Sequence, residues 1–386
     1  MSFARLPLMQ RLGALFGDGP WRLLPATSDL AVAVGAIGGR EIALLATDPE
    51  RAKGTLGPAE CETAVAALEG ARAARQPVLL LIDSAGARLD VGLAIQGALR
   101  ALLREALDAR ADGLPLLAMI GRHAFGGASL LAFAAQSRYY SAQTLLAMSG
   151  PRLLHGVDGR ALAHAEAIGA ICGEARAAQG GEEHLLGDAD AWVRAAADWA
   201  AGTTRPIDVR QQWQAERERL RRRLGAADGD DAAPARGANL ALRSELPLGA
   251  AAALALAQRA ERAAQAQPGE PLLLEVDCPG HSLALADERL LLSQYLAHLA
   301  LSLRLLVRSG TPLRLRLQGE ISGGVYAALA GAVTSIELGR GALVRTLPRT
   351  SLAHIGKEGQ EEVAYPARYL ALGIVDQIGP AVPDAA

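Results

Sequence analysis

The chain has 386 residues, with 39 Lys and Arg against 41 Asp and Glu, so its formal net charge is 39 − 41 = −2. This balance excludes a broad electrostatic contact with nucleic acid or with an anionic membrane. Hydrophobic residues make up 51% and aromatic residues 4%, which indicates a globular protein of more than one domain, without a stacking surface for bases.

The cysteines and the hydropathy of the sequence restrict the class of protein further. Cys61, Cys172 and Cys278 are far apart and form no CxxC pair or Cys/His ligand spacing. A disulfide framework and a bound metal are therefore not expected. Because no apolar stretch approaches the roughly 18 residues of a membrane span, we expect a soluble cytoplasmic protein.

The first unit of predicted structure begins with a strand in QPVLLLIDSAGARL, from Gln76. A helix over Ala94–Ala111 follows and ends at Gly113, shortly before Pro115, as helix ends often do. A second strand runs through LPLLAMIG and breaks at the pair Gly126-Gly127, which opens a helix of small residues.

The same order of elements recurs in the second half. EPLLLEVDCPGHSL predicts a strand, residues 288–308 a long helix, and GTPLRLRLQGEISGGVYAALAGAV a second strand, a glycine pair and a helix. Asp83 corresponds to Asp277 (277 − 83 = 194), and Gly126 corresponds to Gly323 (323 − 126 = 197). The offset changes by only three residues (197 − 194) across the unit, which indicates an internal duplication.

Strands that alternate with helices of this length favour parallel pairing with right-handed crossovers, and hence an α/β fold duplicated within one chain. Between the copies, a charged helix leads into a linker rich in Asp, Gly, Ala and Pro. The sequence thus predicts a first domain over residues 1–225, a linker over 226–238 and a second domain over 239–386.

Each copy contains two turns suited to ligand binding. These turns are Ser84-Ala85-Gly86-Ala87, residues 123–127, Cys278-Pro279-Gly280-His281 and residues 321–324. They lie at the carboxyl ends of predicted parallel strands, where open α/β sheets bind ligands. Two helix-terminal N–H groups aimed at one oxygen would form an oxyanion hole. Alternatively, the glycines only permit turns and close packing.

Several catalytic motifs are missing. The sequence has no GxxxxGK[ST] phosphate loop, no HExxH zinc motif and no GxSxG nucleophile elbow. A Ser/His hydrolase stays a minor alternative, because serines and histidines lie near the turns. These residues are Ser84, Ser129, Ser322, His123 and His281.

At these residues the sequence resembles the carboxyltransferase branch of the crotonase/ClpP-like superfamily, and within it the β and γ subunits of malonate decarboxylase joined in one chain. The first half is similar to the β subunit in LLLIDSAGARL, GRHAFGGASL, AMSGPRLL and HLLGDADAWVRAA. The second is similar to the γ subunit in LLLEVDCPGHSL, ADERLLLSQYLAHLA, GEISGGVYAALA and LPRTSLAHIGK. The resemblance implies two tandem crotonase-like domains of the ββα spiral type.

The resemblance also implies a reaction. A malonyl thioester, carried on the phosphopantetheine arm of an acyl carrier protein or on CoA, would lose CO₂ to give an acetyl thioester. No covalently bound cofactor and no metal are implied. The implied partners are an acyl carrier protein and other malonate decarboxylase subunits, in a homodimer or larger assembly.

Site residues follow by the same resemblance. Gly86 with Gly127 would form one oxyanion hole, and Gly280 with Gly324 the other, with Gly126 and Gly323 completing the two catalytic glycine pairs. The expected substrate-binding residues are Ala85, Ser149, Gly150 and Ser322, and the possible proton donors are His123, His281 and Tyr326. Arg122 is not expected to hold the leaving carboxylate, because a strong cation there would stabilise the ground state.

Two other functions stay open. A biotin-dependent acyl-CoA or malonyl carboxyltransferase would use the same paired holes, and since the sequence has no Met-Lys-Met attachment site, its biotin would arrive on another protein. A non-catalytic scaffold would bind the carrier without turnover.

Overall fold

The computed structural model describes residues 2–26, 28–154, 162–204, 207–225, 239–348, 351 and 365–379. The predicted linker over 226–238 lies outside the described residues, and so does most of the LPRTSLAHIGK segment. The division of the chain into domains at this linker stays a prediction.

The strands are β1 (Trp21–Leu23), β2 (Leu30–Ile37), β3 (Arg40–Thr47), β4 (Val78–Ser84), β5 (Leu116–Phe125), β6 (Ser137–Tyr140), β7 (Leu145–Ala147), β8 (Glu183–Leu185), β9 (Asn239–Arg243), β10 (Leu272–Asp277), β11 (Leu313–Leu317), β12 (Glu320–Ser322), β13 (Ser335–Leu338), β14 (Leu343–Arg345) and β15 (Gln377–Ile378). The α-helices are α1 (Leu8–Phe16), α2 (Pro58–Ala74), α3 (Ala94–Ala111), α4 (Gly127–Ala134), α5 (His164–Ile171), α6 (Gly173–Ala177), α7 (Ala189–Gly202), α8 (Val209–Arg223), α9 (Ala250–Ala266), α10 (Leu285–Arg289), α11 (Leu292–Arg308), α12 (Gly323–Ala332) and α13 (Pro366–Ala371).

The first sheet has the strand order β1-β2-β3-β4-β5-β6-β8, with β7 beside the end of β5. It is antiparallel from β1 to β3 and parallel from there on. Every residue of β4 is buried, because α1 and α7 pack on one face of the sheet and the central helices on the other. The predicted α/β fold with parallel pairing is confirmed.

The second sheet has the order β15-β13-β11-β10-β9, and its pairs are parallel. One face packs on helices, whereas the other carries a row of charged and polar side chains. Along this row Arg243 bonds Glu275 at 2.8 Å, Arg316 bonds Glu337 at 2.9 Å, and Gln377 bonds Glu337 at 3.2 Å. This explains why β11, LRLRL, alternates between buried leucine and accessible arginine.

The structure corrects one predicted helix and refines one strand. The helix predicted over 288–308 is broken, because Leu291 has the left-handed backbone conformation (φ 64°) between α10 and α11. Glu288 therefore lies on α10 and turns away from α11. The long β5 of the first half corresponds to two short strands, β11 and β12, in the second.

Helix α3 joins the two halves. Residues spaced four apart on one face of α3 bond to the second half, and so does Asp112, which caps the helix. The helical residues are Gln96, Arg100, Arg104 and Asp108. The apolar core is continuous from one half to the other. Arg304 of α11 donates two hydrogen bonds, of 2.8 and 2.6 Å, to the carboxylate of Asp108.

This pair should contribute strongly to stability. Asp108 is only 6% exposed, so Arg304→Ala would leave a buried carboxylate without its main partner and should lower the free energy of unfolding by about 3 kcal/mol. Arg308→Ala is the matched control: Arg308 is 42% exposed, and its loss should cost less than about 1 kcal/mol. Denaturant unfolding measures both, and equal losses would contradict the assignment.

Candidate active site

A cavity of about 310 Å³ lies between the two halves. The predicted turns of both halves contribute to its wall, within one chain. Its turn residues are Ala85, Gly86, Ala87, Gly126, Gly127, His281, Gly323 and Gly324. Its apolar wall is formed by Leu89, Ile95, Leu99, Phe125, Met148, Leu153, Ala327 and Leu347.

A leucine before α2 fixes the first turn. The N–H of Leu56 donates to the carbonyl of Gly86 at 2.9 Å, and the N–H of Arg88 donates to the carbonyl of Leu56 at 2.8 Å. Gly86 has φ 102°, and a Cβ added there would lie 3.0 Å from the carbonyl oxygen of Phe125. Only glycine therefore allows the first turn to touch the second.

The second half repeats this arrangement. Leu248, just before α9, donates to the carbonyl of Gly280 at 2.7 Å and accepts from the N–H of Ser282 at 3.0 Å. Gly280 packs on Ser322, and its own atoms do not line the cavity. The duplication thus includes Leu-Gly at the start of α2 and of α9, a signal that the sequence interpretation missed.

The backbone bonds made by Leu56 determine which N–H groups of the first turn stay available. The N–H of Gly86 donates to Ser84 Oγ at 3.1 Å. Ala87 pairs with Leu56 as the central residue of a parallel bridge, so its own N–H points away from Leu56. Gly127 is the first residue of α4, and its N–H has no partner within a helix. His281 occupies the position of Ala87 in the second half.

The first glycine of each pair has an unusual backbone. Gly126 has φ 56° and ψ −127°, and Gly323 has φ 53°. The N–H of Gly126 donates to the carbonyl of Met148 at 3.1 Å. This conformation turns the chain sharply into the helix, which directs the N-terminus of α4 at the cavity.

His281 is the predicted proton donor that reaches the cavity. It is 3% exposed, and burial lowers its pKa to about 4, so the ring is neutral at neutral pH. Its Nε2 lies 3.1 Å from Ser149 Oγ, whereas its Nδ1 has no hydrogen-bond partner in the described residues. Nδ1 lies 3.2 Å from the position of a Cβ added to Gly323.

A buried chain of polar groups continues behind His281. The N–H of Ser149 donates to Glu288 Oε1 at 2.8 Å, and Arg176 Nη2 donates to Glu288 Oε2 at 3.1 Å. Arg176 and Glu288 have no exposed surface. Ser149 and Arg176 come from the first half, and His281 and Glu288 come from the second.

The other predicted donors lie elsewhere. His123 Nδ1 is 3.5 Å from Asp83 Oδ1, and burial lowers the pKa of this histidine. The hydroxyl of Tyr326 donates to the carbonyl of Ile374 at 2.7 Å, and burial raises its pKa. Neither residue lines the cavity.

The substrate-binding predictions divide in the same way. Ala85 and Gly150 line the cavity, whereas Ser149 lies behind it and the hydroxyl of Ser322 donates to the carbonyl of Pro279 at 2.5 Å. Arg122 is outside the cavity, and its Nε donates to Asp83 Oδ2 at 3.1 Å.

A side chain packs against the second glycine of each pair. A Cβ added to Gly324 would lie 2.6 Å from Met148 Cε, and one added to Gly127 would lie 2.9 Å from Leu99 Cδ2. Both positions therefore require glycine, and both pairs line the cavity. The sequence interpretation did not single out Met148, because its approach to Gly324 depends on contacts between the halves.

Two features are absent from the described residues. No helix in them is long and apolar enough to cross a membrane. Among the same residues, no group of three or more His, Cys, Asp or Glu side chains is placed to hold a metal ion.

Comparison with known proteins assigns each half. Residues 19–206 match the family model of the carboxyl transferase domain, and residues 243–373 match that of the malonate decarboxylase gamma subunit. No curated protein sequence matches the chain. The fold thus defines an enzyme with crotonase-like domains, the first of them of the carboxyl transferase type.

Solved structures are consistent with this fold. A Pseudomonas malonate decarboxylase hetero-tetramer in complex with malonate is 23% identical, with 60% of this chain and 94% of that chain covered at a TM-score of 0.50. The MdcD-MdcE hetero-dimer of Pseudomonas malonate decarboxylase is 26% identical over 58% of this chain and 96% of that chain, at a TM-score of 0.46. The chain thus joins a β-like carboxyl transferase part and a part similar to the malonate decarboxylase gamma subunit in one polypeptide.

Burial of His281 predicts a pH-dependent stability. An unfolded histidine has a pKa near 6.5, above the value of about 4 in the folded chain, so the unfolded state binds more protons between these values. The contribution is fully present above about pH 6.5 and is lost as the pH falls towards 4, by roughly 2 kcal/mol at pH 5. Urea unfolding at pH 7 and pH 5 should show a smaller difference for His281→Gln than for the parent chain. An unchanged difference would show that His281 titrates normally.

Proposed function

We propose that this enzyme decarboxylates a malonyl thioester in the cavity between its halves. The observation that carries the proposal is the convergence of a glycine turn, a helix N-terminus and a neutral imidazole on one apolar cavity. Loss of CO₂ leaves an enolate, which takes up a proton from solvent on its carbon to give the acetyl group. Donors aimed at the thioester oxygen therefore stabilise the transition state more than the ground state.

The first half supplies the backbone donors in this proposal. Ala87 and Gly127 both line the cavity beside Gly126, and in this proposal their N–H groups bind the thioester oxygen. Gly86 contributes the close approach of the two turns, and its neighbour Ala87 contributes the N–H. Removing one donor of this kind typically lowers kcat by about 10²–10³.

The apolar wall accommodates the leaving carboxylate. Among the described wall residues Arg152 is the one arginine or lysine, and it is exposed. An apolar environment destabilises a carboxylate relative to uncharged CO₂, which favours the forward reaction. Neutral His281 donates a hydrogen bond at neutral pH and does not act as an imidazolium acid.

The biotin-dependent alternative is less favoured, since residues 243–373 match the family model of the malonate decarboxylase gamma subunit. The Ser/His hydrolase is disfavoured as well, because His281 lies between Ser149 and the cavity, the reverse of a nucleophile arrangement.

The carrier of the thioester, the partner subunits and the location of the enzyme are also part of this proposal. The thioester is carried by an acyl carrier protein or CoA, no cofactor is bound covalently, and the enzyme assembles with other malonate decarboxylase subunits in the cytoplasm. The open rim of the cavity supports entry of a phosphopantetheine arm.

The reaction itself is the first test. Malonyl-CoA and a malonyl acyl carrier protein are incubated with the purified chain, with and without biotin, and the thioesters are analysed by mass spectrometry. We expect acetyl thioester without biotin. Strict dependence on biotin would identify a carboxyltransferase, and no turnover of either thioester would favour the scaffold.

Gly126→Ala tests the oxyanion turn. There is space for the added methyl group, but the backbone conformation is costly for alanine, about 1–3 kcal/mol, and its relaxation would displace the N–H of Gly127. We expect kcat to fall about 100-fold. Gly17→Ala is the matched control, because Gly17 has a similar backbone (φ 59°, ψ −142°) and open surroundings. It should lose similar stability and keep full activity; equal activity losses would contradict the role of Gly126.

A further inference from the structure

We propose that Ser149 is a positioning residue: its hydroxyl donates to Nε2 of His281 and holds the ring as the Nδ1–H tautomer, with that N–H directed at the cavity. The catalytic consequence rests on the proposed function. The tautomer itself does not, because it follows from the hydrogen bonds around the ring.

The partners available to each group show which one donates in the hydrogen bond between Ser149 and His281. Ser149 Oγ is 3.1 Å from Nε2, and no other partner of this hydroxyl is found in the described part of the chain. If Nε2 carried the proton, the Ser149 hydroxyl hydrogen and the Nδ1 lone pair would both be buried without partners. If the hydroxyl donates, only the Nδ1–H stays unpaired. A buried unpaired polar group costs about 1–3 kcal/mol, so the second arrangement is favoured.

Ser149 is itself held rigidly. Its N–H bonds to Glu288 Oε1 at 2.8 Å, and Glu288 is paired with Arg176, whose Nε donates to the carbonyl of Leu146 at 2.7 Å. Both charged groups are fully buried, so they keep one geometry. The break at Leu291 is what turns Glu288 towards Ser149.

Nδ1 of His281 lies next to the glycine pair of the second half. The ring lines the cavity beside Gly323 and Gly324, and its neutral state prevents it from stabilising the substrate carboxylate as a cation would. A neutral imidazole N–H is suited to an oxygen on which charge develops during the reaction. The second half thus contributes a side-chain donor where the first half contributes the Ala87 backbone.

Histidine tautomers can be read directly by long-range ¹H–¹⁵N NMR on ¹⁵N-histidine-labelled protein, with His281→Gln to identify the signal. The parent chain should show a protonated Nδ1 and an unprotonated Nε2. Ser149→Ala should shift the ring towards the Nε2–H form and lower kcat about 10-fold, with KM changed less than about twofold, since part of a transition-state donor is lost. Ser149→Thr, which keeps the hydroxyl, should restore the Nδ1–H form.

Ser302→Ala is the matched control. Ser302 is 1% exposed and accepts a hydrogen bond from Trp213 Nε1 at 2.8 Å, so its loss removes a comparable buried bond without touching His281. It should change neither the tautomer nor kcat. An Nε2–H signal in the parent chain, or an unchanged tautomer in Ser149→Ala, would overturn the inference even if the enzyme is active. An Nδ1–H signal that depends on Ser149 would support it even if no thioester is turned over.

Discussion

The cavity exists only where the two halves of the chain meet, and their close packing is the constraint on which the site depends. Glycines on the central helices make this approach possible. A Cβ added to Gly97 of α3 would lie 1.8 Å from the carbonyl oxygen of Leu372, and one added to Gly331 of α12 would lie 3.0 Å from Leu103 Cβ. At this separation the turns of both halves can reach a single small molecule.

The duplicated turns share a backbone arrangement but differ in the group that each presents to the cavity. Leu56 and Leu248 hold their turns by the same pair of backbone bonds, so the framework was retained. The residue between those bonds is Ala87 in one half and His281 in the other. One half therefore offers a backbone donor at this position, and the other offers an imidazole beside its glycine pair.

Local patterns predicted much of this arrangement. The apolar run of β4, the limits of α3 and the glycine pairs are visible in the sequence because strand, helix and turn propensities act over a few residues. The left-handed Leu291 was missed, since leucine seldom adopts that conformation and only contacts distant in sequence hold it there. The same reason hid Arg176 and Glu288, which are separated by 112 residues. Gly86 was singled out as a donor, but its N–H is taken by Ser84.

The charges between α3 and α11 affect which half pairs with which. The contact surface of α3 ends in two acids, Asp108 and Asp112, and that of α11 in two bases, Arg304 and Arg308. The first half places Asp108 and Asp112 against Arg304 and Arg308, whereas two copies of the second half, joined through α11, would place guanidinium groups together. At this end of the two helices the charges therefore favour the pairing of unlike halves. Fusion into one polypeptide adds a high effective concentration to a preference that separate subunits would already possess.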